Sequence, residues 1–467
     1  MLSGVVFADR LERRMKRRAV AAATVGTAIE WYDFFLYSTA AAVVFPKLFF
    51  PKQDPYTGVM LSFSTFFVGF AARPVGAALF GHYGDRLGRK VTLVATILVM
   101  GIGTLLIGVI PTYAAIGIWG SVVLSLLRAM QGIGIGGEWG GSVLLALEWN
   151  ERGRRGLIGA LPQFGVPVGL VLSTGAFNFF NAVSGSEFTT WGWRMPFLLS
   201  VVLIAVGLAI RLGVLDTPVF TALLEERRTE RRPVLAAVRR GLPEIVLSAL
   251  ARVGQFTQFY IFTSFILVYG TTVLHFKRDF VLNGTLIMAA ISLVTVPLFG
   301  YLSDVYGRRR IYLAGCLVMV PFPLLYYQLL DTRLVPLVLL AIAISLPLHD
   351  MQWGPMASLI AESFSGRIRY SGASLGFQLP SIIAGGPAPI VATFLIQRFH
   401  NSVAVAMYLA FCAAISALAT LGLKDNRGRN MAVEYDLPGS SSLPALAGNP
   451  PRAALGPAGP RTWPSAD

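Results

Sequence analysis

The sequence GHYGDRLGRK at residues 81–90 returns at residues 300–309 as GYLSDVYGRR. Both copies fit the pattern Gly-x-x-x-Asp-x-x-Gly-Arg-Lys/Arg, and their aspartates, Asp85 and Asp304, are 304 − 85 = 219 residues apart. A second pair follows at a similar offset, since Glu148 and Glu362 are 362 − 148 = 214 residues apart and arginines follow each of them. The chain is therefore predicted to consist of two related halves.

The composition around these repeats is that of a membrane protein that crosses the bilayer many times. Of the 467 residues, 55% are hydrophobic and 13% are charged, and the mean hydropathy is +0.64. Charged residues make up about 25% of an ordinary soluble domain. So little polar surface excludes both a row of soluble domains and a disordered chain. The two cysteines, Cys316 and Cys412, lie in apolar stretches, which excludes a disulfide scaffold.

Twelve stretches are apolar over the roughly 20 residues that a helix needs to cross a bilayer. They are too long and too continuous for the alternating strands of a membrane barrel. The expected fold is all-α, with two pseudo-symmetric six-helix bundles at 19–213 and 243–423. We number the predicted spans 1 to 12 in chain order: 19–45, 58–80, 91–110, 117–147, 157–181, 191–213, 243–270, 281–302, 310–330, 334–362, 371–397 and 402–423.

The basic residues between the spans predict the orientation. Far more Lys and Arg fall on the side of the N-terminus than on the other side, which predicts that both termini are cytoplasmic. This side also receives the N-terminal segment 1–18, a charged linker at 214–242 to which Arg211 is joined, and a tail at 424–467 that is expected to be disordered. The first apolar run is too long for a cleaved signal peptide. Because these loops explain the net charge of +15, nucleic acid is not an expected partner.

Several further segments indicate a particular protein family. Together with the paired loops they resemble the major facilitator superfamily and, within it, the metabolite:proton symporter family. The resemblance covers residues 19–424. It implies secondary active transport coupled to protons in a bacterial inner membrane, and known members carry shikimate, 2-oxoglutarate, citrate, proline or betaine. The segments are Ala28-Ile-Glu30-Trp31-Tyr32-Asp33-Phe34, Ala72-Arg73-Pro74-Val-Gly76, Arg128-Ala-Met-Gln131-Gly132, Gly136-Gly-Glu138-Trp139-Gly-Gly141, Trp191-Gly-Trp193-Arg194-Met-Pro196 and Arg369-Tyr370-Ser-Gly372.

Charged residues inside the spans are candidates for proton coupling, because a charge in the hydrocarbon region costs roughly 2.5–3.5 kcal/mol on insertion scales. Glu30 and Asp33 share one face of span 1, and the resemblance to sugar porters of the superfamily implies that Asp33 pairs with Arg128 of span 4. His349 and Asp350 in span 10 form a further candidate for proton or substrate binding. The alternative for this pair is that it caps a helix break before Gly354 and Pro355.

Substrate binding is predicted for Arg73, Arg128 and Arg252, because a guanidinium holds a carboxylate through two parallel hydrogen bonds. The alternative for Arg73 and Arg252 is a structural clamp to Glu138 or to a backbone carbonyl. Glu138 itself lies in a glycine cluster that is predicted to be a packing surface of span 4. The uncharged candidates for the binding site, each of which is alternatively a helix–helix hydrogen bond, are Gln131, Gln255, Tyr260, Gln352 and Gln378.

The loop motifs are predicted to latch one conformation, with each aspartate either paired with arginine or placed at the N-terminus of a neighbouring helix. Two copies at matching positions make a plain topological loop the weaker interpretation. The predicted latch residues are Gly81, Asp85, Arg86, Gly88, Arg89, Glu148 and Arg155 in the first half, and Asp304, Gly307, Arg308, Glu362 and Arg369 in the second.

Together these patterns predict a transporter rather than an enzyme. The sequence has no P-loop, no HExxH and no Cys/His cluster, so no nucleotide, cofactor or metal is expected. We expect a monomer in the lipid bilayer that carries a small organic acid together with protons by alternating access. The acid is expected to be shikimate-like or a di- or tricarboxylate. The alternatives are a proline/betaine symporter, a drug:proton antiporter and a non-transporting membrane sensor.

Overall fold

The computed structural model describes residues 2–148, 154–213, 233–366 and 368–427, and all regular structure within these ranges is helical. The side chains of residues 2–17, Pro55 and Arg89 lie outside this description. So do residues 214–232 of the expected linker and residues 428–467 of the expected tail.

In the first half, helices lie at each of the six predicted spans. Short helices at Phe45–Phe49 and Tyr113–Ile116 lie in the connections between spans, and 3₁₀ turns at Gly185–Thr189 and Gly192–Arg194 join spans 5 and 6. The helix bounds are Leu2–Val43 for span 1, Pro55–Leu87 for span 2, Arg89–Val109 for span 3, Ile118–Glu148 for span 4, Arg155–Gln163 and Gly165–Ser184 for span 5, and Met195–Leu212 for span 6.

The second half repeats this order with more interruptions. Span 7 continues beyond Tyr260 through π-helical turns at Ile261–Phe265 and Tyr269–Val273, and span 11 contains another at Ser381–Gly385. The helix bounds are Pro233–Ala251 and Val253–Tyr260 for span 7, Arg278–Tyr306 for span 8, Arg308–Val318 and Phe322–Asp331 for span 9, Val335–Ala361 for span 10, Arg369–Gln378 and Ala388–Phe399 for span 11, and Val403–Gly422 for span 12.

Length and hydropathy support membrane spans for most of these helices. Nine helices among the described residues are long and apolar enough to cross a membrane, and the two helices of span 9, bent by 41°, together make a tenth. Span 1 carries Glu30 and Asp33, and span 7 is broken after Ala251. These two spans complete the set of twelve.

Two positions differ from the sequence-based assignment. Arg211 was joined to the linker, but it lies in the last turn of span 6 and is 3% exposed. Span 7 was expected to start at residue 243, but its helix starts at Pro233 and kinks at Gly241. The second difference arises because a helix continues past the apolar stretch until a residue interrupts it, whereas hydropathy marks only the apolar part. Arg211 lies inside the predicted span and was joined to the linker only because of its charge.

The internal repeat has a matching geometry in both halves. The turn of each loop motif is made at Gly88 and at Gly307, with φ of +109° and +105°, a conformation that suits only a residue without a Cβ atom. In each half, a basic residue two positions later binds the end of the last span. The hydrogen bonds are Lys90 Nζ to the Leu212 carbonyl, 2.9 Å, and Arg309 Nη2 to the Leu421 carbonyl, 2.7 Å.

The two halves meet along two seams, span 2 against span 11 and span 5 against spans 8 and 10. Within the first half, spans 2 and 4 approach closely through glycines. A methyl group at Gly132 would overlap the carbonyl oxygen of Gly69, and one at Gly136 would overlap the carbonyl oxygen of Arg73. Small residues permit this backbone contact. The contact fixes the backbone positions of Arg73 in span 2 and Arg128 in span 4 relative to each other.

Replacing Gly132 with Ala is expected to lower the free energy of unfolding by about 1–3 kcal/mol, the usual cost of overpacking. Gly175→Ala is the matched control, because a methyl group there meets nothing within 4 Å. The control is expected to leave stability unchanged or slightly raised. Denaturant unfolding of the detergent-purified protein measures both variants, and equal losses would contradict the packing argument.

Candidate functional site

Three arginines and one tyrosine from both halves lie together in the interior. Arg73 of span 2, Arg128 of span 4, and Arg252 and Tyr260 of span 7 are each at most 2% exposed. Arg73 Nη1 donates a hydrogen bond of 3.2 Å to the Tyr260 hydroxyl. Arg73 also interacts electrostatically with the other two guanidinium groups. We call Arg73, Arg128 and Arg252 the arginine cluster.

Aromatic rings surround each guanidinium of the arginine cluster. The carbon Cζ of Arg73 lies 4.4 Å from the ring centroid of Phe70, and that of Arg128 lies 4.3 Å from the ring of Tyr37. Arg252 Cζ lies 3.4 Å from the ring of Phe377 and 4.0 Å from the ring of Phe256. Cation–π contacts of this kind return part of the free energy lost when a guanidinium leaves water.

No nearby carboxylate of the described residues offsets the rest of this desolvation cost. Within residues 2–148, 154–213, 233–366 and 368–427, no ion pair within 4.0 Å involves any member of the arginine cluster. Several of their nitrogens also have no hydrogen-bond acceptor. These atoms are Arg73 Nε, Arg128 Nε and Nη2, and Arg252 Nη2. A buried charge without a partner carries a large desolvation cost, so the cluster has unused capacity for an anion.

The expected direct pair between Asp33 and Arg128 is replaced by a chain of hydrogen bonds through two other side chains. Arg128 Nη1 donates to Gln131 Oε1 at 3.0 Å, and Gln131 Nε2 donates to Thr104 Oγ1 at 2.7 Å. Thr104 Oγ1 in turn donates to Asp33 Oδ2 at 2.8 Å. The second carboxylate oxygen, Asp33 Oδ1, is buried without a hydrogen-bond partner.

The clamp considered between Arg73 and Glu138 is wrong, because Glu138 is held by Arg211. Arg211 Nη2 pairs with Glu138 Oε1, and Arg211 Nη1 binds the carbonyl of Leu93. Thr96 and Ser142 donate to the same carboxylate at 2.9 and 2.7 Å. The carboxylate of Glu138 is thus fully partnered within the first half. Glu30, 5% exposed, lies near it on span 1 and interacts electrostatically with Glu138, Arg211 and Arg73.

Arg252 does contact a backbone carbonyl, that of Phe377, as one alternative proposed, and its Nε donates to Gln255 Oε1 at 3.2 Å. The carbonyl oxygen of Gln255 lies 3.1 Å from His349 Nε2. His349 Nδ1 is 3.9 Å from Asp350 Oδ1, and Thr295 donates to Asp350 Oδ2. Thus Gln255 joins the arginine cluster to the pair in span 10.

The alternative role of His349 and Asp350 as a cap for a helix break is wrong. Span 10 is one helix from Val335 to Ala361, and both Pro347 and Pro355 lie inside it. No free helix end therefore exists near Gly354 for the pair to cap. Because Thr295 of span 8 donates a hydrogen bond to the carboxylate of Asp350, the pair instead links spans 8 and 10.

The remaining glutamines occupy different places. Gln378 Nε2 is 3.5 Å from the carbonyl of Ile135 in the other half, and its Oε1 has no partner. Gln352 has no hydrogen-bond partner on either polar side-chain atom, and it packs against Gly315 of span 9. Gln163, which the sequence analysis did not select, is 1% exposed and equally unpartnered.

Aromatic contacts between the halves close the interior. Trp139 of span 4 stacks on Phe377 of span 11 with ring centroids 3.6 Å apart. Trp31 of span 1 meets Trp353 of span 10 at 6.0 Å. The hydroxyls of Ser38 in span 1 and Ser264 in span 7 are also hydrogen bonded, at 2.7 Å. These contacts hold the two halves together around the interior.

The first loop motif reaches across to the second half. Asp85 Oδ2 accepts hydrogen bonds from the backbone amide of Ser371 at 3.1 Å and from its hydroxyl at 2.8 Å, in the first turn of span 11. Beside it, Arg369 Nη1 lies 3.5 Å from Glu148 Oε1. The loop aspartate thus occupies a helix N-terminus, one of the two arrangements expected from the sequence.

The second loop motif mirrors this contact. Asp304 accepts hydrogen bonds from the backbone amides of Gly156 at 2.7 Å and Leu157 at 2.9 Å, in the first turn of span 5. Arg308 pairs with Asp304 at 2.9 Å and binds Glu362 through two hydrogen bonds of 2.7 and 2.9 Å. Here both expected arrangements occur together.

The other predicted latch residues take a smaller part in the contacts between the halves. Arg155 lies 3.8 Å from Glu362, and Gly81 leaves room for Ser371. Arg86 is exposed and contacts His82 on its own helix at 3.3 Å. Gly88 and Gly307 make the turns described above, and the side chain of Arg89 lies outside the described residues.

Comparison with known proteins identifies the family to which this architecture belongs. The sequence model of the Major Facilitator Superfamily matches residues 23–385. The chain belongs to the major facilitator superfamily. It is therefore a membrane transporter and not an enzyme, and the predicted fold of twelve helices is confirmed.

Relatives within the superfamily align along almost the whole chain. The inner membrane metabolite transport protein YhjE of Escherichia coli is 37% identical over 89% of this chain and 96% of its own length. The shikimate transporter of Escherichia coli is 38% identical over 88% and 95%. The proline/betaine transporter of Salmonella typhimurium is 31% identical over 88% and 84%.

Among solved structures, the proton:xylose symporter XylE bound to 6-bromo-6-deoxy-D-glucose has a TM-score of 0.72 with this chain. The two share 19% sequence identity over 90% of this chain and 98% of that one. This likeness concerns the fold of the superfamily, which is preserved at low sequence identity.

Two members of the interior network were absent from the sequence predictions. Thr104 is one threonine in a hydrophobic span and carries no distinguishing pattern. Arg211 had a signal, because it interrupts the apolar run at residues 203–215 and a charge there needs a partner. Its assignment to the linker concealed that signal.

Replacing Arg211 with Gln is expected to destabilise the protein by about 3–5 kcal/mol, because Glu138 would remain buried without its partner. The double variant Arg211→Gln with Glu138→Gln is expected to recover a large part of this loss. Thermal unfolding in detergent, with protein yield as a second readout, measures the cycle. Additive losses would show that the two residues are not coupled.

Replacing Asp85 with Asn is expected to weaken closure between the halves, because a neutral amide accepts hydrogen bonds less strongly than a carboxylate at a helix N-terminus. The labelling rate of a cysteine at Ser374, which is buried against Gly140 of the other half, is expected to rise roughly tenfold. Labelling with a membrane-permeant maleimide measures this rate.

The control for this experiment is Asp54→Asn. Asp54 also accepts two backbone amide hydrogen bonds, from Tyr56 and Thr57, but within a single half. We expect no change in labelling at residue 374. A similar rise in both variants would show that the effect comes from general loosening of the helices rather than from the contact between halves.

Proposed function

We propose that this protein is a proton-coupled symporter for a small organic acid, acting by alternating access as a monomer in a bacterial inner membrane with both termini in the cytoplasm. The proposal rests on one observation above all: three buried guanidinium groups from both halves have no carboxylate within 4.0 Å in the described part of the chain. A bound carboxylate would supply the missing partner.

The charge balance favours an acid over a neutral or cationic substrate. Arg73 contacts the Tyr260 hydroxyl and interacts electrostatically with Arg128 and Arg252. Two buried carboxylates face these three guanidinium groups. Asp33 is joined to Arg128 through hydrogen bonds, and Glu30 interacts electrostatically with Arg73. A cationic drug would have to enter against this positive charge, which disfavours a drug:proton antiporter. The similarity to a shikimate transporter at 38% identity supports the same class of substrate.

In the proposed cycle, Asp33 carries the proton. The chain Arg128–Gln131–Thr104–Asp33 lets the state of the carboxylate affect how firmly Arg128 is held. When Asp33 takes up a proton, Thr104 loses an anionic acceptor, the chain of hydrogen bonds to Arg128 weakens, and Arg128 is freer to bind the substrate. Substrate and proton then offset each other's charge, which lowers the cost of the closed state.

A second candidate is a symporter for zwitterions, and one observation favours it. Asp33 Oδ1 is buried without a hydrogen-bond partner, so it offers an acceptor for a substrate ammonium while an arginine holds the carboxylate. The 31% identity with a proline/betaine transporter is consistent with this candidate. It requires Asp33 to remain ionised while the substrate is bound.

Uptake into proteoliposomes tests the proposal. Radiolabelled shikimate, 2-oxoglutarate, citrate and proline are offered with and without an imposed inward proton gradient. We expect the gradient to stimulate uptake of one of the acids. Proline uptake in place of acid uptake would select the second candidate, and uptake of an acid that ignores the gradient would contradict proton coupling.

Variants in the same assay assign roles. Arg252→Gln is expected to raise KM roughly tenfold or more through loss of a charge-assisted hydrogen bond. Arg398→Gln, which removes an exposed arginine in the same half, is the control and is expected to leave KM unchanged. Asp33→Asn is expected to abolish stimulation by the gradient while substrate exchange persists. Equal KM for Arg252→Gln and wild type would contradict the assigned role of the arginine cluster.

A further inference from the structure

A second basic site lies at the surface of the second half and, unlike the arginine cluster, is exposed. A cavity of about 560 Å³ opens where the loop between spans 8 and 9 meets the chain beyond span 12. Three arginines and one aspartate contribute to its wall, which leaves the cavity with an excess of positive charge. The lining residues are Tyr306, Gly307, Arg309, Arg310, Leu313, Asp425 and Arg427.

Two of these arginines are already held by helix ends. Arg309 Nη2 donates to the Leu421 carbonyl at 2.7 Å, and Arg427 Nη1 donates to the carbonyls of Asp304 and Val305 at 2.9 and 2.8 Å. Such contacts fix both side chains at the rim of the cavity, so their remaining N–H groups keep a defined direction. The site is therefore organised before any ligand binds.

Arg310 is different, because it has no hydrogen bond or ion pair with any residue in the described ranges. Its side chain is exposed and lines the cavity. The corresponding position of the first loop motif, 310 − 219 = 91, holds Val91 instead of a basic residue. The extra arginine thus belongs to one half alone and is not needed for the turn that both halves share.

The surroundings of the cavity select the kind of anion. Exposed aliphatic side chains continue from it along the outer faces of spans 9 and 12, namely Leu317 at 57%, Leu418 at 70% and Leu421 at 51% exposure. Tyr306 at its edge is 58% exposed, and aromatic side chains of this kind are typical of the membrane interface. A free phosphate would use only the arginines, whereas a phospholipid would use the arginines and the leucines.

We propose that this cavity binds the headgroup of an anionic phospholipid, whose phosphodiester lies between Arg309, Arg310 and Arg427 and whose acyl chains lie against the leucines of spans 9 and 12. Basic pockets beside membrane helices are suited to anionic headgroups. Because Arg427 binds the carbonyl of Asp304, whose carboxylate contacts span 5, an occupied site is connected to the second loop motif.

Fluorescence anisotropy tests the proposal with the full-length protein in detergent and phosphatidylglycerol that carries a fluorescent acyl chain. Unlabelled phosphatidylglycerol is expected to displace the probe, whereas phosphatidylcholine and millimolar inorganic phosphate are not. Equal displacement by phosphatidylcholine would overturn the choice of an anionic lipid. Displacement by inorganic phosphate at the same effectiveness would reassign the cavity as a free-anion site and overturn the lipid proposal.

Variants locate the binding. Arg310→Gln is expected to weaken phosphatidylglycerol binding about fivefold, the factor that corresponds to one interfacial cation. It removes no contact within the described protein, so folding is expected to be preserved, and unchanged thermal unfolding checks this. Lys424→Gln is the matched control, because it removes one exposed positive charge nearby that does not line the cavity. Equal weakening in both variants would show nonspecific surface attraction and overturn the proposal.

Discussion

The cost of holding three guanidinium groups away from water governs the rest of this structure. Arg73, Arg128 and Arg252 cannot lose their charge at ordinary pH, and no carboxylate within 4.0 Å relieves them in the described ranges. Aromatic rings from both halves line them instead, and Gly69 leaves room for the side chain of Arg128 between spans 2 and 4. Aromatic contacts offset only part of the desolvation cost. The interior is consequently stable enough to form, and a bound anion would offset the rest of the desolvation cost.

Alternating access requires that contacts between the halves break without leaving buried charges unpaired. The loop motifs and the interior meet this requirement in different ways. At the loop motifs, Asp85 and Asp304 bind backbone amides at the first turns of spans 11 and 5. Both the carboxylates and the amides lie at helix ends, where water can replace the lost partner on opening. In the interior, by contrast, Arg211 and Glu138 lie within one half and can stay paired throughout. The ion pair of Arg211 with Glu138 thus stays within one bundle, whereas the carboxylate–amide contacts between the bundles can be exchanged for water.

Hydropathy and the repeated loop were sufficient for the number and order of the helices, because both follow from local sequence. The side-chain partners were harder to predict, since they depend on how helices distant in the chain rotate against each other. Arg128 and Asp33 were expected to pair directly, but the structure joins them through Gln131 and Thr104, and a relay of this kind could not be predicted from a single threonine in an apolar span. Glu138 was given the wrong partner because Arg211, although inside predicted span 6, was counted with the basic residues of the linker. The start of span 7 was missed because the apolar pattern fades before the helix ends.

Proton uptake on substrate binding tests the central claim most directly, namely that the arginine cluster binds a carboxylate while Asp33 takes up the proton. A pH indicator in weakly buffered solution follows the detergent-purified protein near neutral pH as the transported acid is added. We predict that the wild-type protein takes up protons when the acid binds, and that Asp33→Asn binds the acid without this uptake. Binding to the wild-type protein with no proton uptake, or the same uptake in Asp33→Asn, would contradict the account.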